Sequence, residues 1–139
     1  MKTPTKRYLG LAGTLLMVGV FSGYAAAQDA LTPLSFSAPQ MAGGRVTCAD
    51  KCSKCHGSDL EGGAGPALSD GALDNYLAGS AGALFEFIHA SMPQDAPGSL
   101  SPDETTSLIA YLASKNGRTP GGAPLPSDMA ALGKIGFKQ

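Results

Sequence analysis

The chain has 139 residues, of which 10 are Lys or Arg and 11 are Asp or Glu, and only 15% are charged. This length fits one domain with short extensions. Because there is no excess of basic residues, the composition argues against a nucleic-acid-binding protein, which would carry a basic face.

The first 27 residues have the organisation of a secretory signal peptide. Basic residues near the start precede an apolar run that ends in Ala25-Ala26-Ala27, and this order is typical of a leader that is cleaved on export. Cleavage after Ala27 would leave 112 residues, seven of them basic and eleven acidic, in the periplasm. An uncleaved leader is the alternative, because residues 9–27 are long enough to span a bilayer and would anchor the protein in the membrane.

Residues 28–41 show no clear pattern and are expected to form a flexible lead-in, and a short helix is expected from Gly43 to Cys52.

A domain this small needs something to supplement its hydrophobic core, and the cysteines indicate what that is. Cys52, Cys55 and His56 then form C-x-x-C-H, the attachment motif of c-type haem. Both thiols would become thioethers of the haem, and the histidine would ligate the iron from one face.

Two other uses of these cysteines compete with haem. Cys48, Cys52, Cys55 and His56 offer the donor atoms of a zinc site, but they crowd into nine residues with no distant second pair. A redox-active dithiol of thioredoxin type would lie in a βαβ pattern, and no parallel-strand runs surround the motif. The sequence therefore favours one covalent haem c.

A haem ligated by one histidine can take a second axial ligand from further along the chain. Met92 lies 36 residues after His56 and is followed by Pro93, which ends the preceding helix. Met-Pro in a loop is a poor place for a core methionine, so Met92 is predicted to be the second iron ligand, and its thioether would stabilise ferrous iron. His89 is the alternative, as a bis-histidine ligand, and Met129 in the tail is a weaker rival.

A glycine-rich loop between the two ligands ends in Gly65-Pro66-Ala67-Leu68. A phosphate-binding role is weakly indicated, because no strand-to-helix context and no Lys-Ser/Thr pair accompany it. Beside a haem, the loop would bring backbone close to the ligating histidine, whose free ring N–H needs an acceptor. Pro66 is predicted to supply that carbonyl, and Leu68 is predicted to pack on the haem ring.

Two further helices and a tail complete the chain. One helix is predicted over 81–90, with Ser80 as its N-cap. A capping box of Ser101 and Glu104 predicts the start of the clearest helix, which ends at a left-handed Asn-Gly stop. The remaining residues, 118–139, are predicted to form a Gly/Pro-rich tail with one short terminal helix.

In this order the motifs resemble those of the bacterial class I c-type cytochromes, over residues 42–117. C-x-x-C-H resembles the family's haem-attachment site, G-P-x-L its proximal loop, Met92-Pro93 its axial-ligand loop, and the run 108–112 its C-terminal helix. The resemblance implies an all-α, loop-rich fold in which three to four helices wrap around one covalent haem and the N- and C-terminal helices cross. It also implies a one-electron carrier rather than an enzyme.

Such a carrier would have redox proteins as its partners. A periplasmic dehydrogenase or respiratory complex would be the donor, and an oxidase or another cytochrome the acceptor. The protein would act as a monomer or as a subunit of a dehydrogenase complex. An open or bis-histidine iron site that binds small ligands or senses redox state is the alternative function. The candidate docking surface consists of Ala49, Lys51, Ser53, Lys54 and the segment 90–96.

One position departs from the family's pattern. The family's N-terminal helix presents a small residue followed four positions later by an aromatic one, whereas here Gly44 is followed by Cys48. Cys48 is therefore expected to pack near Tyr111 with a looser contact and to remain a buried, inert thiol, with an intermolecular disulfide as the alternative. The family's haem-propionate tryptophan is absent, and Tyr76 is expected to replace it.

Overall fold

The computed structural model describes residues 30–138, so the predicted leader, 1–27, lies outside the described residues. The helices and strands are β1 (Thr32–Pro33), α1 (Ala38–Lys51), α2 (Ser53–His56), α3 (Ala81–Ser91), α4 (Pro102–Lys115), α5 (Met129–Leu132) and β2 (Ile135–Gly136). This mostly helical, loop-rich architecture confirms the predicted all-α class. None of the helices within residues 30–138 is long and apolar enough to cross a membrane.

The two longest helices, α1 and α4, cross each other, as the resemblance implies for the N- and C-terminal helices. Gly44 marks their closest approach. A methyl group added to Gly44 would overlap the carbonyl oxygen of Ser107 and would lie 2.9 Å from Cβ of Tyr111. Only a residue without a side chain lets the two backbones pack so closely. The crossing fixes the end of α1, from which the C-x-x-C-H motif continues.

The predicted helix starts at Ser80 and Ser101 are confirmed. Ser80 Oγ accepts a hydrogen bond from the N–H of Ala83 at 3.2 Å. At the start of α4 the N–H of Glu104 donates to Ser101 Oγ at 3.2 Å, while the N–H of Ser101 donates to the Glu104 carboxylate at 2.8 Å. These bonds from the backbone and hydroxyl of Ser101 hold the pKa of the Glu104 carboxyl below its ordinary value. Reciprocal capping of this kind satisfies backbone donors that the first turn leaves unpaired.

The expected flexible lead-in, 28–41, is instead packed over its described part. Leu34 is buried and Phe36 is fully inaccessible to solvent, and α1 begins at Ala38 rather than near Gly43. Leu34 and Phe36 lie in a short stretch interrupted by Pro33 and serines, which is too short to give a clear periodic signal. Each nevertheless contributes about 1.5–3 kcal/mol when it is buried, and this fixes the segment on the body of the protein.

The tail covers this N-terminal segment. The side-chain amide of Gln40 pairs with the backbone of Leu125: Nε2 donates to the Leu125 carbonyl at 2.9 Å, and the Leu125 N–H donates to Oε1 at 2.8 Å. β1 and β2 pair in parallel, with Thr32 opposite Ile135. A short helix, α5, lies in the tail where one is predicted. Residues 31–37 and 118–137 therefore form one structure, here called the terminal strap.

Candidate cofactor site

A cavity of about 520 Å³ lies among α2, α3, α4 and the glycine-rich loop. The six residues predicted to contact the haem all line it: Cys52, Cys55, His56, Pro66, Leu68 and Met92. The volume falls within the range of about 300–1,000 Å³ that is usual for ligand and cofactor pockets. Much of the remaining wall is apolar, from Leu73, Leu84, Ile88, Leu100, Leu108 and Leu112. The cavity therefore suits a large, mostly apolar cofactor.

One helical turn places the C-x-x-C-H side chains on the cavity wall. Cys52 joins α1 to α2, and its carbonyl accepts the N–H of His56 at 2.9 Å. Gly57 then ends the turn with a φ of 84°, a left-handed conformation that glycine adopts without steric cost. Two thiols three positions apart and the adjacent imidazole thus meet one edge of the same cavity, as covalent attachment and axial ligation of a haem require.

The His56 ring is oriented by the loop that follows it. Nδ1 lies 2.6 Å from the carbonyl oxygen of Pro66. Because a carbonyl only accepts hydrogen bonds, Nδ1 carries a proton, and in the neutral ring the free lone pair is then on Nε2. A methyl group on Gly65 would lie 2.9 Å from Cε1 of the ring, so a glycine here lets the backbone approach. This contact is the one predicted for Pro66, and it leaves Nε2 as the nitrogen available to a metal.

The two candidates for the second ligand lie in different environments. Met92 follows the last residue of α3, its N–H donates to the carbonyl of Ile88 at 2.9 Å, and its side chain lines the cavity. His89 does not line the cavity. Its ring stacks on Phe85, with centroids 5.3 Å apart, and Nδ1 lies 3.5 Å from Thr105 Oγ1. The geometry therefore favours Met92 over His89 as the residue that shares the cavity with His56.

Charged and aromatic side chains surround the mouth of the cavity. Lys54 Nζ lies 3.2 Å from Asp95 Oδ2, which joins the attachment segment to the loop after Met92. Tyr76 and Phe87, also lining residues, have ring centroids 5.8 Å apart. Tyr76 is thus at the cavity, where a substitute for the family's tryptophan is expected. Met129, by contrast, is 43% exposed in the tail.

A buried asparagine, Asn116, supports the loop that carries Leu68. Its Nδ2 donates to the carbonyls of Leu68 and Leu112, at 2.9 Å and 2.8 Å, and its Oδ1 accepts the N–H of Gly71 at 3.0 Å. The sequence predicts Asn116 only as part of the helix stop. Its position between a strongly predicted helix and a glycine indicates that stop. Its hydrogen-bond partners Gly71 and Leu68 lie 45 and 48 residues away in sequence, so no local pattern reveals them.

Cys48 lies behind the attachment segment, outside the main cavity. It is 3% exposed, and together with Tyr111 and Arg45 it lines a second cavity of about 180 Å³. Space beside a cysteine at this position agrees with the looser contact expected there. The neighbouring Cys52 side chain and burial raise the pKa of the Cys48 thiol above its ordinary value. A protonated, buried thiol is a poor nucleophile.

A zinc site built from the cysteines finds no geometric support in the described residues. Within 30–138 no group of three or more His, Cys, Asp and Glu side chains is arranged to hold a metal ion. His56 and Met92 instead lie on the wall of one apolar cavity.

Comparison with known proteins gives a matching family model and similar solved structures. Residues 39–112 match the family model described as cytochrome C oxidase, cbb3-type, subunit III. A chain of the sulfane dehydrogenase SoxCD from Paracoccus pantotrophus is 25% identical, with a TM-score of 0.53 and coverage of 94% of this chain and 68% of that chain. Cytochrome CL from Methylophaga aminisulfidivorans MPT is also 25% identical, with a TM-score of 0.42 and coverage of 63% of this chain and 71% of that chain. No curated protein matches the chain.

Proposed function

The chain belongs to the cytochrome family described as cytochrome C oxidase, cbb3-type, subunit III, and on this premise we propose that it carries one electron at a time on a haem c with His56 and Met92 as axial ligands. It is a bacterial class I c-type cytochrome, and membership of this family implies one covalent haem c and an electron-carrying role. The haem supplies the ferric–ferrous couple when it is bound. The residues of the chain hold it, orient it and limit its contact with water.

The observation that carries the proposal is the meeting of His56 and Met92 at one cavity. Cys52 and Cys55 line its edge and would form the two thioether bonds, and the other walls are largely apolar. The Pro66 carbonyl oxygen lies 2.6 Å from His56 Nδ1 and fixes the tautomer of the ring. An imidazole that donates to a carbonyl is a stronger ligand through its other nitrogen. As the second iron ligand, the Met92 thioether would favour ferrous iron and raise the reduction potential.

The partners we propose are redox proteins in the periplasm. The sequence begins with a segment typical of an export signal, and covalent haem attachment in bacteria takes place outside the cytoplasm. A dehydrogenase is a suitable donor, and the similarity to a chain of a sulfane dehydrogenase supports this choice. An oxidase or another cytochrome would be the acceptor.

The alternative function is a haem protein that binds small ligands at an open site. The two functions make opposite predictions for the binding of carbon monoxide. With Met92 bound to iron, the reduced protein should not bind carbon monoxide at low concentration. Met92→Ala should bind it readily, because the sixth position is then open. Met129→Ala is the matched control, since that methionine is in the tail and 43% exposed, and it should behave like the unsubstituted protein.

Two results would contradict the proposal. Ready binding of carbon monoxide by the unsubstituted reduced protein would favour the ligand-binding function. A protein without covalent haem, judged by loss of all haem on acid–acetone extraction, would remove the basis of both functions.

A further inference from the structure

The distribution of charge around the cavity is strongly asymmetric. Between residues 55 and 114 the sequence contains no lysine or arginine. The same stretch contains eight acidic residues: Asp59, Glu61, Asp70, Asp74, Glu86, Asp95, Asp103 and Glu104. This stretch supplies most of the cavity wall, including the loop with Pro66, the segment up to Tyr76, α3 and α4. The cavity mouth is therefore built mainly from a part of the chain that has no permanent cation.

The lysines that do line the mouth are already paired. Lys54 Nζ lies 3.2 Å from Asp95 Oδ2, and Lys51 Nζ lies 2.9 Å from Asp50 Oδ2. Each pair adds no net charge, so this side of the mouth does not attract an acidic partner. Of the eight acidic residues only Asp95 lines the cavity, and the uncompensated negative charges lie beside lining residues in sequence rather than on the wall itself.

Two of these charges flank the exposed aromatic pair. Asp74 lies two residues before Tyr76, and Glu86 directly precedes Phe87, and both carboxylates are exposed. Among the residues that the structure describes, neither carboxylate forms an ion pair. We name Asp74, Tyr76, Glu86 and Phe87 the aromatic rim. It combines apolar rings with uncompensated negative charge beside the cofactor cavity.

The apolar part of the aromatic rim continues along the outer face of α3. Ala83, Phe87 and Ala90 are exposed at positions i, i+4 and i+7, which places them on one face of the helix. Phe87 is 43% exposed and Tyr76 is 52% exposed. Exposed aromatic side chains on a small domain are candidates for a protein contact, because aromatic residues are enriched in interface cores and lysine is depleted there.

We propose, resting on the electron-carrier function above, that the aromatic rim is the docking surface for a redox protein whose own docking face is basic, with Lys or Arg around an apolar centre. The rings supply a small apolar contact next to the cavity, and the carboxylates steer the partner into it. Brief redox encounters need only a small interface, below about 1,200 Å² in total. Charge complementarity of this kind raises the association rate more than the affinity.

The test uses the reduced holoprotein and two electron acceptors of opposite charge in stopped-flow experiments. The basic acceptor is a lysine-rich mitochondrial cytochrome c, and the anionic acceptor is ferricyanide. In each reaction one electron passes from ferrous iron in this protein to ferric iron in the acceptor. Between about 10 mM and 500 mM salt, the rate with the basic acceptor should fall about tenfold or more, and the rate with ferricyanide should rise.

Net negative charge alone would give part of this salt effect, so site-specific variants decide the question. At low salt, Asp74→Asn combined with Glu86→Gln should slow the reaction with the basic acceptor about threefold or more. Asp59→Asn removes one negative charge, as each of the other two substitutions does, but it lies beside the second cavity. It should leave the rate nearly unchanged. Phe87→Ala should slow the reaction at all salt concentrations, whereas Val46→Ala, at a residue that is 64% exposed on α1, should not.

The outcomes separate this inference from the proposed function. If Asp59→Asn slows the reaction as much per charge removed as the combined Asp74→Asn and Glu86→Gln variant does, or if neither variant of the aromatic rim matters, the surface is wrong while the carrier function stands. A rate with the basic acceptor that rises with salt also overturns the inference. Failure of the holoprotein to reduce either acceptor would instead contradict the electron-carrier function itself.

Discussion

The close crossing of α1 and α4 predicts opposite effects for two adjacent glycine substitutions. In Gly44→Ala the new methyl group would overlap the Ser107 carbonyl and lie 2.9 Å from Tyr111 Cβ. In Gly43→Ala the nearest atom would be Ser107 Oγ at 3.9 Å, which is an ordinary contact. Both substitutions replace a glycine inside the same helix, so both gain about 0.8–1 kcal/mol of helix propensity. The difference between them therefore isolates the steric cost at the crossing.

The size of that difference follows from what can move. Overpacking a core costs about 1–3 kcal/mol and occasionally more, and the overlapped atom in Gly44→Ala belongs to the backbone rather than to a flexible side chain. We therefore expect the upper part of that range. Gly44→Ala should be less stable than Gly43→Ala by about 3 kcal/mol, a factor of roughly 150 in the unfolding equilibrium constant.

The assay is reversible guanidinium unfolding of the two holoproteins, followed by far-UV circular dichroism. We expect Gly43→Ala to be as stable as the unsubstituted protein or slightly more stable, and Gly44→Ala to unfold at clearly lower denaturant. A difference below about 0.5 kcal/mol between the two variants, which is the usual range for surface substitutions, would refute the reasoning and the close approach of the helices.

Three further predictions concern the parts around the cavity. Asn116→Ala should lower the free energy of unfolding by about 1–3 kcal/mol, because buried backbone partners lose their hydrogen bonds, as measured in the same unfolding experiment. Cys48 should resist maleimide in the folded holoprotein and react once per chain in denaturant; a disulfide-linked dimer that disappears on reduction would overturn this. Gln40→Ala should release the tail and speed proteolysis near Leu125, whereas Gln94→Ala, at an exposed loop residue, should not; equal cleavage would show that the amide contact does not hold the tail.

The sequence predicted the site well because the residues that carry its chemistry lie in short motifs. Cys52, Cys55 and His56 occupy one turn, and the capping box at Ser101 uses residues three apart, so both depend on neighbours in sequence. The proline that follows Met92 supported its prediction as an iron ligand. Each of these features depends on residues that are close together in sequence. The structure brings the predicted residues to one cavity.

The parts that sequence analysis missed depend on distant pairing. The terminal strap is held by contacts such as Gln40 to Leu125, 85 residues apart, and neither segment has a pattern by itself. Phe36 is fully buried, and the tail returns to it: its carbonyl accepts the N–H of Gly121 at 3.0 Å. Asn116 was likewise recognised as a helix stop but not as a support for Leu68, since its role depends on a loop 48 residues earlier.

The identity of the second iron ligand is the central claim, and the optical spectrum of the ferric holoprotein tests it most directly. After acid–acetone extraction of loose haem, the protein should retain its haem and show the weak far-red band of iron–thioether coordination. Met92→Ala should lose that band, and His89→Ala should keep it, because His89 stacks on Phe85 and does not line the cavity. Attached haem without the band in the unsubstituted protein, or a spectrum that changes with His89→Ala and not with Met92→Ala, would contradict the account.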